Sequence, residues 1–204
     1  MANVLHINSS VRSNASLSRQ LSAEFIAKWQ AAHPADSVVE RNLAAQPVPH
    51  LNEEMMGAFF TPAEQRTAQA AATVKLSDTL VDELLAADVL VLGAPMYNFS
   101  ISSTLKAWID HVVRAGRTFQ YGASGPEGLT RNKKAYVFIA SGGVYSEGPA
   151  VAYDFVSTYL RTALGFIGIT DVTFIRTEGV AMGEEAVSAA IARSRQTIGE
   201  LLPA

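Results

Sequence analysis

The chain has 204 residues, of which 49% are hydrophobic, and this is enough to bury one sizeable core without division into several domains. Charged residues make up 17% of the sequence and the formal net charge is −3, so the composition does not favour a nucleic acid or an anionic membrane as partner. The absence of cysteine excludes disulfides, thiolate metal sites and a cysteine nucleophile, and the four histidines have no metal-ligand spacing, so no metal is expected.

The first residues, MANVLHINSS, contain a short apolar stretch without the cationic leader of a signal peptide. No later segment is uninterrupted and apolar over the length of a membrane span. We therefore expect a soluble, cytoplasmic protein whose residues 1–204 form one domain.

Short apolar segments rich in β-branched residues alternate with helical patterns along the chain. Five such segments are predicted to be strands, at residues 3–7, 37–43, 89–93, 135–141 and 172–177. This alternation is typical of an α/β protein, because a parallel strand pair needs a crossover helix. We predict a doubly wound, five-stranded parallel sheet of order 2-1-3-4-5 with helices on both faces.

Helical periodicity is clear between these strands. The first helix is predicted from the four-residue steps of Leu17, Leu21, Phe25 and Trp29. A later helix is predicted from the single apolar face made by Leu105, Trp108, Ile109, Val112 and Val113. Between the two, Thr61, Pro62 and Glu64 form a Thr-x-x-Glu capping box, which predicts a helix start followed by Leu76, Leu80 and Leu84.

One apolar cluster precedes that capping box. Met55, Met56, Phe59 and Phe60 lie together between two polar stretches. They predict either a short core helix or an apolar flap over a pocket or a partner surface.

A turn rich in hydroxyl groups follows the first predicted strand. It runs from Ser10 through Ser16 and Ser18 into the first helix. A helix N-terminus offers unpaired N–H groups and a favourable dipole, so this turn suits a phosphate group. Walker and Gly-x-Gly-x-x-Gly patterns are missing after this strand, which disfavours nucleoside triphosphates and a Rossmann dinucleotide site. Taken alone, Ser16 or Ser18 is more simply interpreted as the residue that caps the first helix.

The loops after the third and fourth predicted strands favour the binding interpretation. They read Ala94-Pro95-Met96-Tyr97-Asn98-Phe99 and Ala140-Ser141-Gly142-Gly143-Val144-Tyr145. In the predicted strand order both loops lie beside the serine turn. Glycines let the backbone approach a flat ligand, and aromatic and Met side chains cover ring faces. Each segment alone could be ordinary core and turn, but together they predict a site for a planar heterocycle carrying a phosphate.

With these loops the sequence resembles the FMN-dependent NAD(P)H:quinone oxidoreductases known as azoreductases, which have a flavodoxin-like fold. The resemblance covers nearly the whole chain and includes the segments 114–119, 125–129 and 165–169. It implies a flavodoxin-like FMN-binding domain with one FMN per subunit and NADH or NADPH as electron donor. It further implies two-electron transfer to quinones and reductive cleavage of aromatic azo compounds.

The resemblance also implies roles for individual residues. Three sets would hold the cofactor: Ser10, Ser16, Leu17 and Ser18 at the FMN phosphate; Met96, Tyr97, Asn98 and Phe99 along the isoalloxazine; and Ala140, Ser141, Gly142 and Gly143 on its pyrimidine side. The family's enzymes are homodimers, so Phe60, Phe99, Phe119 and Tyr121 would line a substrate pocket shared between subunits. The hydride chemistry takes place on the flavin, so the protein needs no catalytic side chain of its own, although Tyr145 could assist with a proton or hydrogen bond.

Some positions depart from the family's pattern. Some relatives carry an arginine where this chain has Ala140-Ser141, and a histidine where it has Tyr145. Ala163 is small where a relative can carry an aromatic residue, which predicts a wider acceptor site. If donor and acceptor use one pocket in turn, the kinetics should be ping-pong.

Other functions fit the sequence less well. A flavodoxin-type electron carrier is the serious alternative, but carriers usually have a strongly acidic surface and the net charge here is only −3. A receiver domain needs carboxylates at the first and third strand ends, where this chain has Asn8 and Gly93. A hydrolase would need a Gly-x-Ser-x-Gly elbow, which the sequence lacks. A purely structural or interaction protein would leave the three loops unexplained, whereas a flavin-dependent binding role stays open from the sequence.

Overall fold

The computed structural model describes residues 1–202. Its strands are β1 (Asn3–Asn8), β2 (Ser37–Asn42), β3 (Val89–Pro95), β4 (Phe119–Gly122), β5 (Gly125–Gly128), β6 (Lys134–Ala140) and β7 (Asp171–Thr177). Five of them form a parallel sheet in the order β2-β1-β3-β6-β7. Counted along that sheet alone, this is the order 2-1-3-4-5, so the predicted fold class is confirmed. Each predicted strand end lies within two residues of the observed one.

The helices are α1 (Leu17–Ala32), α2 (Glu53–Phe60), α3 (Ala68–Ala86), α4 (Ser103–Val112), α5 (Phe155–Phe166) and α6 (Glu184–Leu201). Two short 3₁₀ segments span Ala63–Gln65 and Gly148–Tyr153. Helices α3, α4 and α5 pack on one face of the sheet, while α1 and α6 pack on the other.

Strand β3 lies at the centre of the sheet, and all seven of its residues are buried. Because side chains alternate along a strand, Leu90 and Leu92 contribute to the core that contains Trp108, whereas Val89 and Val91 contribute to the core that contains Phe25. A strand buried on both faces is a continuous apolar run. Polar residues and irregular backbone therefore begin only after the carboxyl end of β3, in the loop that starts at Met96.

The predicted helix start at Thr61 is wrong. Residues Ala63–Gln65 form only a 3₁₀ turn, and α3 begins at Ala68. The cap of α3 is Thr67, whose hydroxyl accepts the N–H of Ala70 at 3.1 Å. The Thr-x-x-Glu pattern identified a turn, but the helix starts six residues later than its cap position predicts.

Arg66 explains why the helix cannot start earlier. Its Nε donates to the carbonyl of Ala58 at 3.2 Å and to the carbonyl of Thr61 at 3.0 Å. Its Nη1 lies 3.4 Å from the carboxylate of Asp78 on α3. The Thr61 carbonyl is thus engaged by a side chain from two residues beyond the predicted capping box, so Thr61 ends α2 instead of opening a new helix.

The hairpin formed by β4 and β5 was not predicted. Its strands have four residues each and contain glycine and proline, so no alternation of apolar residues announces them. The apolar cluster ahead of the capping box forms α2, in which Ala58 is buried, Met55 and Phe59 are half-buried, and Met56 and Phe60 are exposed. The cluster is therefore a short helix that is only partly buried, and a role of its exposed side as a cover over a pocket or a partner surface stays a prediction.

Within residues 1–202, no helix is both long enough and apolar enough to cross a bilayer. The same part of the chain contains no group of three or more histidine, aspartate or glutamate side chains arranged to hold a metal ion.

Candidate cofactor site

Three loops meet at the carboxyl edge of the sheet, after β1, β3 and β6. The strands are in register, with Asn8 opposite Gly93 and Pro95 opposite Ala140. Between the loops lies an open cleft of about 360 Å³. Eight of the predicted cofactor residues line it: Ser10, Ser16, Leu17, Met96, Tyr97, Ala140, Ser141 and Gly142. The other four, Ser18, Asn98, Phe99 and Gly143, adjoin these residues in the sequence.

Ser10 and Ser16 form the polar end of the cleft. The Ser10 hydroxyl accepts the backbone N–H of Arg12 at 3.2 Å and lies 3.1 Å from the hydroxyl of Tyr97. The Ser16 hydroxyl accepts the N–H of Arg19 at 3.4 Å and lies 3.2 Å from the Ser18 hydroxyl. Ser16 therefore caps α1, which is the simpler of its two predicted roles, and it lines the cleft as well.

The electrostatics of this end favour an anion. Helix α1 carries no acidic residue in its first turn. The N–H groups of Leu17 and Ser18 are at the start of the helix, where no carbonyl of an earlier helical turn can accept them. Arg12 is the charged residue among those that line the cleft in the described part of the chain. The positive end of the helix dipole thus meets neutral hydroxyls and one cation, which is suitable chemistry for a phosphate.

Arg19 fixes the serine turn without reaching into the cleft lining. Its Nη2 donates to the carbonyl of Ser10 at 3.1 Å and to Oδ1 of Asn42 at 3.2 Å. The guanidinium thereby ties the end of β1 to the end of β2. Its guanidinium binds one backbone carbonyl and one side-chain amide oxygen, so it supports the serine turn without lining the cleft.

The loop after β3 contains a tight turn from Tyr97 to Ser100. Two hydrogen bonds close it: Tyr97 N–H to the Ser100 carbonyl at 2.9 Å, and Ser100 N–H to the Tyr97 carbonyl at 3.0 Å. The two central residues have positive φ, 48° for Asn98 and 70° for Phe99, which is the type I′ geometry. Asn adopts this region readily, whereas Phe does so at a cost of about 1 kcal/mol.

The surrounding structure holds Phe99 in that conformation. Its carbonyl accepts the N–H of Phe155 at 3.2 Å. Its half-exposed ring lies 5.7 Å from the ring of Tyr153 and 6.2 Å from that of Tyr145. The result is an aromatic surface beside the cleft.

Backbone hydrogen bonds join the loop after β6 to the segment that follows β7. Backbone hydrogen bonds run from Val180 N–H to the Ser141 carbonyl at 3.1 Å and from Ala181 N–H to the Gly142 carbonyl at 3.0 Å. Gly142 packs closely against this segment, since a Cβ there would lie 3.5 Å from the Cβ of Ala181. Tyr145 folds back over Gly143, because a Cβ on that glycine would lie 3.4 Å from the phenol oxygen.

Sequence reasoning missed part of the cleft wall. Val180 and Ala181 line the cleft, and Tyr153 and Phe155 adjoin Phe99. A signal for the first pair was present, because β7 ends at the same edge of the sheet as the strands that precede the three loops. The second pair had no such signal, since a 3₁₀ segment brings it there.

The predicted walls of the substrate pocket are dispersed. Phe60 and Tyr121 are 72% and 75% exposed. Phe119 is buried, with its ring 5.5 Å from that of Tyr121 and 4.6 Å from that of Phe166. None of Phe60, Phe119 and Tyr121 lines the cleft of the described single chain. Only Phe99 of the four lies beside it, and a pocket shared between subunits stays a prediction.

A buried ion-pair network lies behind the loop after β6. Asp154 caps α5 by accepting the N–H groups of Val156 at 3.1 Å and Ser157 at 2.9 Å, and it accepts from Arg176 at 2.7 Å. Burial raises the pKa of Asp154, but the hydrogen bonds from Ser157 and Arg176 outweigh it and hold the pKa below its ordinary value. Arg176 also lies 3.6 Å from Glu178, which is 8% exposed.

The family described as having a flavodoxin-like fold matches residues 2–202. Along all 204 residues the chain is 63% identical to the FMN-dependent NADH:quinone oxidoreductase of Herminiimonas arsenicoxydans, with 100% of both chains covered. This chain belongs to that flavodoxin-like family. The predicted family membership is therefore confirmed.

Solved structures of the family support the same assignment. Azoreductase AzrA is 32% identical and superposes with a TM-score of 0.92, covering 98% of this chain and 99% of its own. The azoreductase of Bacillus anthracis strain Sterne is also 32% identical, with a TM-score of 0.88 and coverage of 98% and 100%.

Proposed function

We propose that this protein is an FMN-dependent NADH:quinone oxidoreductase that also cleaves aromatic azo compounds. The observation that carries the proposal is one cleft with two chemically different ends, hydroxyl groups at the start of α1 and a slot between the loops after β3 and β6. The relatives are named for the first activity and the solved structures for azo reduction.

The polar end fits the phosphate of FMN. The hydroxyls of Ser10, Ser16 and Ser18 and the N–H groups at the start of α1 provide uncharged donors, and Arg12 provides a cation. A phosphate there needs no carboxylate to be displaced, because none lines the cleft within the described residues. We propose that these groups, with Leu17, hold the phosphate.

The slot fits a flat ring system. Met96 and Tyr97 form one wall, and Ala140, Ser141 and Gly142 form the other. Bound FMN would accept a hydride from NADH and deliver two electrons to the acceptor. The chain's part is to bind and orient: the turn at Asn98 and Phe99 presents backbone N–H groups and an aromatic face. The Gly142-Gly143 backbone, with the Tyr145 phenol over it, would stabilise negative charge.

We propose a ping-pong mechanism, in which NADH and the acceptor occupy the same space beside Phe99 in turn.

We also propose that the enzyme is a homodimer in which each chain is one FMN-binding domain. The large exposed apolar side chains Phe60 and Tyr121 support this, because a second subunit would remove them from water. Sedimentation would measure the assembly, and parallel double-reciprocal plots would support alternating occupancy.

The decisive experiment is anaerobic reduction. Purified protein is reconstituted with FMN, NADH or NADPH is added without oxygen, and the visible flavin band is followed before and after addition of a quinone. Bleaching by NADH and recovery on quinone addition are expected. A flavin that stays bound but is bleached by neither nucleotide would contradict the proposal and support the electron-carrier alternative.

A further inference from the structure

Glu178 follows β7 directly. It is not among the described residues that line the cleft. It is 8% exposed, and both of its oxygens are engaged by one loop. Oε1 accepts the backbone N–H of Tyr145 at 2.9 Å, and Oε2 accepts the hydroxyl of Ser146. Burying a carboxylate costs free energy unless hydrogen bonds or an opposite charge replace its contacts with water. The Tyr145 N–H and the Ser146 hydroxyl offset part of this cost.

This loop has few other ties. Up to Gly143 it is held by backbone hydrogen bonds to the segment after β7. Beyond Gly143, in the described part of the chain, the hydrogen bonds made by Tyr145 and Ser146 both end on Glu178. Glu178 is thus the anchor that decides where the half of the loop carrying the Tyr145 ring comes to rest.

Arg176 extends this anchor to the opposite wall of the cleft. One of its nitrogens donates to Asp154 at 2.7 Å and the other lies 3.6 Å from Glu178. Asp154 caps α5, and the next residue, Phe155, donates its N–H to the carbonyl of Phe99 at 3.2 Å. A continuous series of polar contacts therefore joins the loop after β6 to the turn after β3.

We propose that Glu178 is a positioning residue for the cofactor site: its two carboxylate oxygens set the loop of residues 143–146, and Arg176 and Asp154 fix that loop relative to the Phe99 turn. The inference rests on the proposed function, because it takes the cleft between these loops as the FMN site. Glu178 touches neither the cleft nor a reacting atom, so it acts through Tyr145 and Ser146.

The test compares Glu178→Ala with Glu178→Gln. Alanine removes both acceptors, whereas glutamine keeps the one carbonyl oxygen that Tyr145 N–H needs and loses the charge and the second acceptor, which the Ser146 hydroxyl uses. Glu147→Ala is the matched control, since Glu147 lies in the same loop, is exposed and makes no hydrogen bond in the described part of the chain. Ser146→Ala removes one of the two contacts from the loop side, and it serves if Glu178→Ala fails to fold.

Two measurements are made on each variant. In the cofactor-free protein, amide hydrogen exchange of Tyr145 should be about tenfold faster in Glu178→Ala and closer to wild type in Glu178→Gln, since only glutamine keeps an oxygen that can accept the Tyr145 N–H. FMN affinity, followed by flavin fluorescence, should fall about tenfold in Glu178→Ala and about threefold or less in Glu178→Gln and Ser146→Ala. Glu147→Ala should leave both unchanged.

Unchanged Tyr145 exchange in Glu178→Ala would overturn the proposal. So would wild-type FMN affinity in that variant despite faster exchange. Equal losses of FMN affinity in the alanine and glutamine variants, with wild-type affinity in Ser146→Ala, would also overturn it, because they would assign the effect to charge. If the wild-type protein binds no FMN, the proposed function fails, and the exchange data on the cofactor-free protein still decide whether Glu178 positions the loop.

Discussion

Gly128 lies in direct contact with the backbone of Gly168. A Cβ on Gly128 would be 2.2 Å from the nitrogen of Gly168, closer than any side-chain atom can approach backbone. Next to this contact, Thr130 donates both its N–H and its hydroxyl to the carbonyl of Ile167, at 2.8 and 2.6 Å. The β4–β5 hairpin is therefore fastened to the end of α5 through a point that only glycine fits.

Gly128→Ala should lower the free energy of unfolding by about 3 kcal/mol or more, since backbone must shift to make room. Gly199→Ala is the control, because Gly199 lies within α6 with nothing within 4 Å of a new Cβ, and it should raise stability by about 1 kcal/mol. Urea denaturation measures both. Equal stability of the two variants would contradict the close contact.

Ser16 is predicted to have two separable effects. Ser16→Ala removes the cap of α1 and should cost about 1 kcal/mol of stability, and it should also weaken FMN binding. Thr67→Ala removes the equivalent cap of α3, away from the cleft, and should cost a similar amount of stability without changing FMN affinity. Chemical denaturation and a fluorescence titration give the two numbers. Equal FMN affinity in both variants would leave Ser16 with its capping role alone.

Phe99 should trade stability for activity. Phe99→Gly relieves the positive φ of 70° and should stabilise the protein by about 1 kcal/mol. It also removes the aromatic face beside the cleft, so kcat/KM for quinone reduction should fall. Asn98→Gly is the comparison, because it relaxes the same turn and keeps the ring. A fall in stability for Phe99→Gly would show that the ring contacts outweigh the backbone strain.

His6 should make stability depend on pH. Burial lowers the pKa of His6 from its ordinary 6.5 to about 4, with Glu40 opposing and Arg19 adding to the effect, and its Nε2 lies 2.9 Å from the Ser22 hydroxyl. Between these two pKa values the unfolded chain binds a proton that the folded chain does not. The contribution to stability is therefore complete above pH 6.5 and is lost as the pH falls towards 4, by about 2 kcal/mol at pH 5.

His6→Gln tests this pH dependence. Urea denaturation at pH 7.5 and pH 5 should show a smaller loss of stability in this variant than in the wild type. His50→Gln is the control, since His50 is exposed, and it should keep the full loss. A wild-type loss in His6→Gln would place the titrating group elsewhere, with His111, whose pKa burial also lowers, as the next residue to change.

Ala163 allows a test of acceptor choice. It lies one turn after Tyr159 on α5 and is partly buried against the core, while Tyr159 lines an open groove of about 610 Å³ next to the Tyr97 turn. Ala163→Phe should narrow this side and shift preference towards smaller quinones. Ratios of kcat/KM for a small and a large quinone measure it, and an unchanged ratio would argue against the prediction.

The sheet could be predicted because its strands are short apolar runs separated by helical periodicity, and parallel crossovers leave few strand orders. The three cleft loops followed from the strand ends. The start of α3 could not be predicted, because Arg66 overrides the Thr61 capping pattern through contacts with Ala58 and Asp78 that no local rule contains. The hairpin depends on the Gly128 contact, which is distant in sequence, and Val180 and Ala181 join the cleft through backbone pairing.

The two outer strands of the sheet, β2 and β7, carry charged side chains. Strand β2 contains Glu40 and Arg41, and Arg41 is paired with Glu83 of α3; strand β7, at the other edge, begins with Asp171. Charges on edge strands oppose pairing with the sheet of another molecule. The chain can therefore expose large aromatic side chains around Phe99 and Tyr121 while its sheet edges resist aggregation into extended β-structure.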